Sequence, residues 1–85
     1  MATATPSPTP NPNAMKYDLD VKLPGTLNLP NAEAAAGNPF AEAVFGVEGV
    51  QSLCGVNTCV TVTRTPGADW DLITAGVQTA AAEHL

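Results

Sequence analysis

The chain has 85 residues, enough for one small domain, and alanine supplies much of its 45% hydrophobic content. Its net charge of −5 argues against nucleic-acid binding, which relies on a basic surface. Its two cysteines are too few for the disulfide framework of a small secreted domain. No basic segment precedes an apolar run, so we expect no signal peptide, no membrane span and a cytoplasmic location.

Proline dominates the first segment, MATATPSPTPNPN, which holds four of the eight prolines of the chain. Proline lacks an amide hydrogen and restricts the residue before it, so such a segment forms neither a helix nor an inner strand. We therefore predict that residues 1–8 are a disordered, polyproline-like tail and that residues 9–85 form a single domain.

A repeated Pro-Asn unit, PNPN at 10–13, follows the tail and includes Asn11, Pro12 and Asn13. Asparagine side chains in turns bond to nearby backbone groups, so we expect these residues to fix the turn into the first strand. The alternative is a partner-binding edge, because extended proline-rich segments are preordered ligands for other proteins.

The first predicted strand is amphipathic. Apolar and charged residues alternate from Met15 to Lys22, which predicts a strand with one buried and one solvated face. The short segment 26–29 follows a turn signal, and we predict that it is the hairpin partner of this strand.

A second predicted hairpin contains both cysteines. The segments 50–54 and 59–65 are predicted as strands, and the tight connection between them is expected to bring Cys54 opposite Cys59. Because Cys59 alternates with Val60 along the strand, we expect it on the threonine-bearing face, where it is more accessible than a core cysteine.

Two helices complete the pattern. Asn38 followed by proline predicts a helix over about residues 38–46, and Asp69 predicts the cap of a helix that continues to the end of the sequence. The buried stripe of this second helix is predicted to consist of Trp70, Ile73, Val77 and Ala81.

The elements give the order β-β-α-β-β-α, which predicts an α+β domain with two layers. A four-stranded, mainly antiparallel sheet carries two helices on its apolar face.

Three segments resemble the N-terminal domain of the NifU/Nfu family. They are TPNPNAMKY at 9–17, NPFAEAVFGVEGVQSL at 38–53 and VTVTRTPGADWDLITAGVQTAAAEHL at 60–85. Together they cover nearly the whole chain in the order and spacing of that family. In its two-domain members, a second domain follows and carries a Cys-x-x-Cys pair that holds and transfers an iron–sulfur cluster.

The sequence contains no Cys-x-x-Cys pair, so the resemblance does not carry the cluster-holding function to this chain. It implies a stand-alone N-terminal module with an accessory or protein-binding role in iron–sulfur cluster assembly or delivery. The expected partners are an iron–sulfur assembly factor or a client protein, and the module itself is not expected to be a complete cluster scaffold.

The cysteines are the candidate metal ligands. Iron–sulfur clusters and structural zinc use about four protein ligands, and one chain offers Cys54, Cys59, His84 and several carboxylates. The family usually carries bulky aromatic residues at the two cysteine positions, so we expect inert thiols and no stably bound cofactor. We expect His84 to lie on the surface near the helix end. Two alternatives stay open for the thiols. The first is a redox-sensitive cross-strand pair. The second is a site that binds iron, another metal or an iron–sulfur cluster, either transiently or between two chains.

Catalysis is not expected. The sequence has no carboxylate pair spaced for acid–base chemistry, no glycine-rich phosphate loop and no Ser/His/Asp set. Two functions compete with the iron–sulfur accessory role. One is a general protein-interaction module without an iron–sulfur connection, and the other is a thiol-based metal or redox protein that uses Cys54 and Cys59.

Overall fold

The computed structural model describes residues 3–23 and 25–85. Its five strands are β1 (Ala4–Pro8), β2 (Ala14–Leu19), β3 (Leu27–Leu29), β4 (Val50–Val56) and β5 (Cys59–Arg64). A short 3₁₀ turn (Ala32–Ala35) precedes helix α1 (Pro39–Phe45), and helix α2 (Trp70–His84) follows β5.

The strands form one antiparallel sheet in the order β1-β2-β5-β4-β3. Alternate residues of β2, β4 and β5 point toward the helices and form the core, where Tyr17, Leu53, Val60 and Val62 are fully buried. The α+β class and the two helices on one face agree with the sequence-based prediction. The strand count and the strand order do not, since four strands were predicted.

The additional strand, β1, comes from the segment for which we expected a disordered tail. Residues 4–8 pair with β2 at the edge of the sheet, with Ala4 opposite Leu19 and Pro6 opposite Tyr17. An edge strand tolerates proline because one side of its backbone needs no partner. Ala4 is only 3% exposed, and the Gln78 side-chain amide of α2 donates to its carbonyl oxygen over 3.1 Å. Residues 1 and 2 lie outside the described part.

The partner of β3 also differs from the prediction. Leu27 lies opposite Gly55 and Leu29 opposite Leu53, so β3 pairs with β4 and not with β2. The reason is that β1 and β5 already occupy both sides of β2. The hairpin partner predicted from chain proximity is therefore wrong.

Both helices begin at the predicted capping residues. Asn38 Oδ1 accepts the Ala41 backbone N–H over 3.1 Å, and Asp69 Oδ1 accepts the Asp71 N–H over 2.9 Å. These bonds satisfy amide groups that the first turn of a helix leaves free.

The buried stripe of α2 is close to the predicted one. It consists of Ile73, Val77, Ala80 and Ala81, while Trp70 lies half-buried at the rim. The Tyr17 hydroxyl on β2 shares a hydrogen bond of 2.9 Å with the Thr74 hydroxyl on α2, which ties the sheet to the helix. Within the described ranges, no helix combines the length and apolar character that a membrane crossing requires.

Candidate functional site

Within residues 3–23 and 25–85, one face of the sheet carries no helix, and we call it the outer face. Residues from all five strands form a row across it, consisting of Ser7, Lys16, Thr61, Cys54 and Asn28 in spatial order. A parallel row holds Thr5, Asp18, Cys59 and Val56. The outer face is thus polar, with both cysteines near its middle.

The cysteines are not directly opposite each other. Cys54 lies opposite Thr61, and Cys59 lies opposite Val56, so the register predicted for this hairpin is wrong. The two turn residues are Asn57 and Thr58, one position later in the chain than a two-residue turn that would place Cys54 opposite Cys59. Asn57 adopts a positive φ of 55° there, which asparagine tolerates better than most residues. Cys54 and Cys59 are therefore diagonal neighbours.

The predicted face of the cysteines is correct. Cys54 is exposed and Cys59 is half-buried, and both are free thiols. They border a shallow groove of about 310 Å³ together with Asn28, Val56 and Thr61. The Cys54 thiol lies 4.0 Å from Asn28 Oδ1, to which it donates a long hydrogen bond.

His84 lies away from these thiols. It is at the C-terminal end of α2, in the helix layer, and its Nε2 atom is 3.9 Å from the Glu83 carboxylate. It borders a separate groove of about 500 Å³ that also contains Leu23 and Phe40. In the described ranges, no group of three or more His, Cys, Asp or Glu side chains is placed to hold a metal ion.

The Asn-Pro turn is stabilised by a hydrogen bond within the turn and by contacts with Arg64. Asn11 Oδ1 accepts the Asn13 N–H over 2.9 Å, which is the kind of local bond expected from the sequence. Asn13 in turn contacts Arg64 twice: its carbonyl oxygen accepts the Arg64 N–H over 2.8 Å, and its Oδ1 accepts from Arg64 Nε over 3.4 Å.

Arg64 and Trp70 join this turn to the start of α2. Arg64 Nη1 donates to the Ala68 carbonyl over 2.7 Å, and Trp70 Nε1 donates to the Pro12 carbonyl over 3.3 Å. We call Pro12, Asn13, Arg64, Ala68 and Trp70 the Arg64 cluster. No motif in the sequence assigned Arg64 a role. Its being the single arginine of the chain, close before the single tryptophan, was the only available signal.

Two side chains have shifted pKa values. Burial raises the pKa of Tyr17 above its ordinary value of 10.0, and the hydrogen bond with Thr74 partly offsets this rise. The pKa of Asp20 lies below its ordinary value of 3.8, chiefly because its carboxylate accepts the Thr3 backbone N–H over 2.9 Å. Both groups act in holding the fold, through the Tyr17–Thr74 and Thr3–Asp20 hydrogen bonds.

Comparison with known proteins gives a consistent family match. The family model described as the N terminal of scaffold protein Nfu/NifU matches residues 5–85. Two Arabidopsis thaliana proteins, NifU-like protein 5 and NifU-like protein 4, both mitochondrial, are 33% and 31% identical over 49 residues, or 58% of this chain. The matched parts are 18% and 17% of those proteins, so the chain spans under a fifth of their length.

Two solved structures have the same fold. The crystal structure of SAV1430 from Staphylococcus aureus superposes with a TM-score of 0.76 and 24% identity, covering 94% of this chain and 98% of the other. A Staphylococcus epidermidis protein studied by NMR gives a TM-score of 0.65 and 25% identity, covering 98% of each chain.

Proposed function

Because the chain belongs to the family of Nfu/NifU N-terminal domains, we propose that it is a protein-binding accessory module of iron–sulfur cluster assembly or delivery. The observation that carries the proposal is the family match over residues 5–85. This membership suggests a role related to iron–sulfur proteins, and the accessory character is our inference from the residues of the chain.

The residues do not fit a complete cluster site. Iron–sulfur clusters are held by about four ligands, usually cysteine thiolates. The chain has two cysteines, and they border a groove on the outer face, whereas His84 lies at the end of α2 and borders a different groove. A role in recognising another protein therefore suits the chain better than a role in holding a cluster alone.

The partner-binding surface we propose is formed by the Asn-Pro turn and the start of α2. Asn11 and Pro12 are exposed there, and the Arg64 cluster fixes their backbone. A surface that is already ordered pays less conformational entropy on binding. Tryptophan and arginine are also enriched among the residues that contribute most to protein interfaces.

Leu72 gives this surface an apolar contact point. Its side chain is 62% exposed and lies beside a groove of about 420 Å³ that also includes Glu48 and Asp69. An exposed leucine next to carboxylates suits a partner segment that presents an apolar side chain beside a basic one.

The test is affinity capture from a lysate of the native host, using the tagged full chain and quantitative mass spectrometry. Leu72→Glu is the test variant, and Val56→Glu is its matched control because Val56 is also an exposed apolar residue, at 51%, on the outer face. We expect wild type and Val56→Glu to capture iron–sulfur assembly factors or clients, and Leu72→Glu to lose them.

Two results would contradict the proposal. Captured proteins without any iron–sulfur connection would make the chain a general interaction module. Equal capture by both variants would move the binding surface away from α2.

A further inference from the structure

The outer face presents two reduced thiols in a groove that no helix covers. Cys54 and Cys59 come from adjacent strands, and both border the same groove. Two neighbouring thiols chelate a metal ion when the ion is able to bond to both sulfurs. The spacing of the two cysteines therefore decides between a disulfide and a bridging metal ion.

That distance argues against a disulfide within the chain. Diagonal neighbours in an antiparallel pair have Cα atoms about 7–8 Å apart. A disulfide needs Cα atoms within about 4.4–6.8 Å and joins its sulfurs at about 2.05 Å. A metal ion bound by two thiolates holds the two sulfurs farther apart, up to about 4.6 Å at the zinc–thiolate bond length of about 2.3 Å, so it accommodates Cα atoms that are too widely spaced for a disulfide.

The chemistry of the groove selects the kind of ion. Its ligating atoms are two soft thiol sulfurs, with the Asn28 amide and the Thr61 hydroxyl as neutral neighbours. Soft thiolate ligands suit Cu(I), zinc and iron–sulfur clusters, and of these a monovalent ion such as Cu(I) is satisfied by two sulfurs. Zinc would need about four ligands in a structural site.

Two charged residues flank the pair on the outer face. Asp18 lies opposite Cys59, and Lys16 is the neighbour of Asp18 along the same strand, with 3.8 Å between the ammonium and the carboxylate. The carboxylate is a hard oxygen donor already paired with Lys16, so it is a poor ligand for a soft ion. Lys16 adds positive charge close to a site that becomes anionic on metal binding.

We propose that Cys54 and Cys59 form a two-coordinate site for a soft monovalent metal ion, of the Cu(I) type, within one chain. Binding replaces two S–H bonds by two metal–sulfur bonds and releases two protons to solvent. The bound ion and the two thiolates carry a net charge of −1, and no group is oxidised or reduced. This inference does not depend on the iron–sulfur role proposed above.

The test uses the full chain, reduced and kept free of oxygen, with two probes. Ag(I) serves as a redox-inert substitute for Cu(I), and Cu(I) itself is delivered from a competing chelator of known affinity. We expect one metal ion per chain, and light scattering should give an unchanged molecular mass. Cys54→Ser and Cys59→Ser should each weaken binding about 100-fold or more, because each removes half of the chelate.

A matched control distinguishes a metal site formed by the two thiols from one that also uses the Asp18 carboxylate. Asp18→Asn should leave Ag(I) and Cu(I) affinity within a factor of about three, because a hard carboxylate oxygen is not a ligand of the soft ion. Circular dichroism of all three variants should match wild type because the substituted side chains lie on the outer face.

Four outcomes would overturn the proposal. The first is binding that persists in either serine variant. The second is one metal per two chains with a doubled mass, which would indicate a site between copies. The third is a loss of affinity in Asp18→Asn. The fourth is an intrachain disulfide after mild oxidation, detected by mass spectrometry, which would mean that the thiols approach too closely for the spacing described.

Discussion

The guanidinium of Arg64 lies over the Trp70 ring, with 5.1 Å between its central carbon and the ring centre. The two side chains also bond to consecutive residues of the Asn-Pro turn, Arg64 to Asn13 and Trp70 to Pro12. A cation held against an aromatic face in this way links the first turn of the chain to the start of α2.

Arg64 is expected to stabilise the fold through its planar guanidinium group, whose several N–H donors bond to more than one acceptor, whereas lysine has a single ammonium nitrogen. Arg64→Lys retains the charge but loses the paired bonds to Asn13 and Ala68, so we expect a loss of about 1–3 kcal/mol in the free energy of unfolding. Urea denaturation followed by Trp70 fluorescence measures it. Lys22→Ala is the control for removal of an exposed cation, and it should change stability by less than about 0.5 kcal/mol. An equal loss of unfolding free energy in both variants would contradict the role assigned to the Arg64 guanidinium group.

Gly49 and Gly67 make a matched pair of turn glycines. Both have positive φ values, 97° and 85°, and either one replaced by alanine should cost about 1–2 kcal/mol from backbone strain. A Cβ atom on Gly49 would also lie 2.5 Å from the Cβ of Ala68, whereas one on Gly67 would meet nothing within 4 Å. Gly49→Ala should therefore lose about 1–3 kcal/mol more than Gly67→Ala in urea denaturation. Similar losses in the two variants would refute the close approach to Ala68.

Tyr17 should titrate above its ordinary pKa, and the effect can be measured directly because it is the single tyrosine of the chain. Thr74→Val removes the bond that lowers this pKa, so the tyrosinate absorbance should appear at a higher pH in the variant than in wild type. An unchanged or lower midpoint would contradict the bond.

The same shift sets how stability depends on alkaline pH. Because the folded state holds the Tyr17 proton more tightly than the unfolded state, stability is independent of this group below pH 10.0, the ordinary pKa. Stability decreases as the pH rises from 10.0 through the pKa of Tyr17 in the folded state. Tyr17→Phe should remove this alkaline loss while costing about 1 kcal/mol at neutral pH, as read by urea denaturation.

Asp20 should produce the opposite dependence at acid pH. Its pKa is lowered by the Thr3 N–H, so the bond stabilises the N-terminal edge above about pH 3.8 and is lost as the pH falls through the folded pKa. The amide resonance of Thr3 in NMR spectra should follow this titration. In Asp20→Asn the acid-dependent shift should disappear, and its persistence would indicate that another group titrates near Thr3.

The helices were predictable because their signals are local. Asn38 and Asp69 each satisfy amides within three residues, so the chain around them contains all the necessary information. The exposed face of the cysteines was predictable for the same reason, since alternation along β5 decides it.

The pairing of the strands was less predictable because it depends on distant competition. Proline at positions 6 and 8 suggested a tail, yet these residues are acceptable at a sheet edge once β2 is available as a partner. The hairpin register depended on the backbone conformation of Asn57, which no periodicity reveals. The Arg64 cluster was missed because it joins segments that only the folded sheet brings together.

The central position of β2 and β5 in the sheet has a kinetic consequence. The β1–β2 and β4–β5 hairpins close short loops, whereas pairing β2 with β5 closes a loop of roughly half the chain. Contacts between distant segments slow folding, so we expect the two hairpins to form early and their docking to limit the rate. Until β5 has been synthesised, β2 has one unpaired edge, and a nascent chain in that state is a template for aggregation.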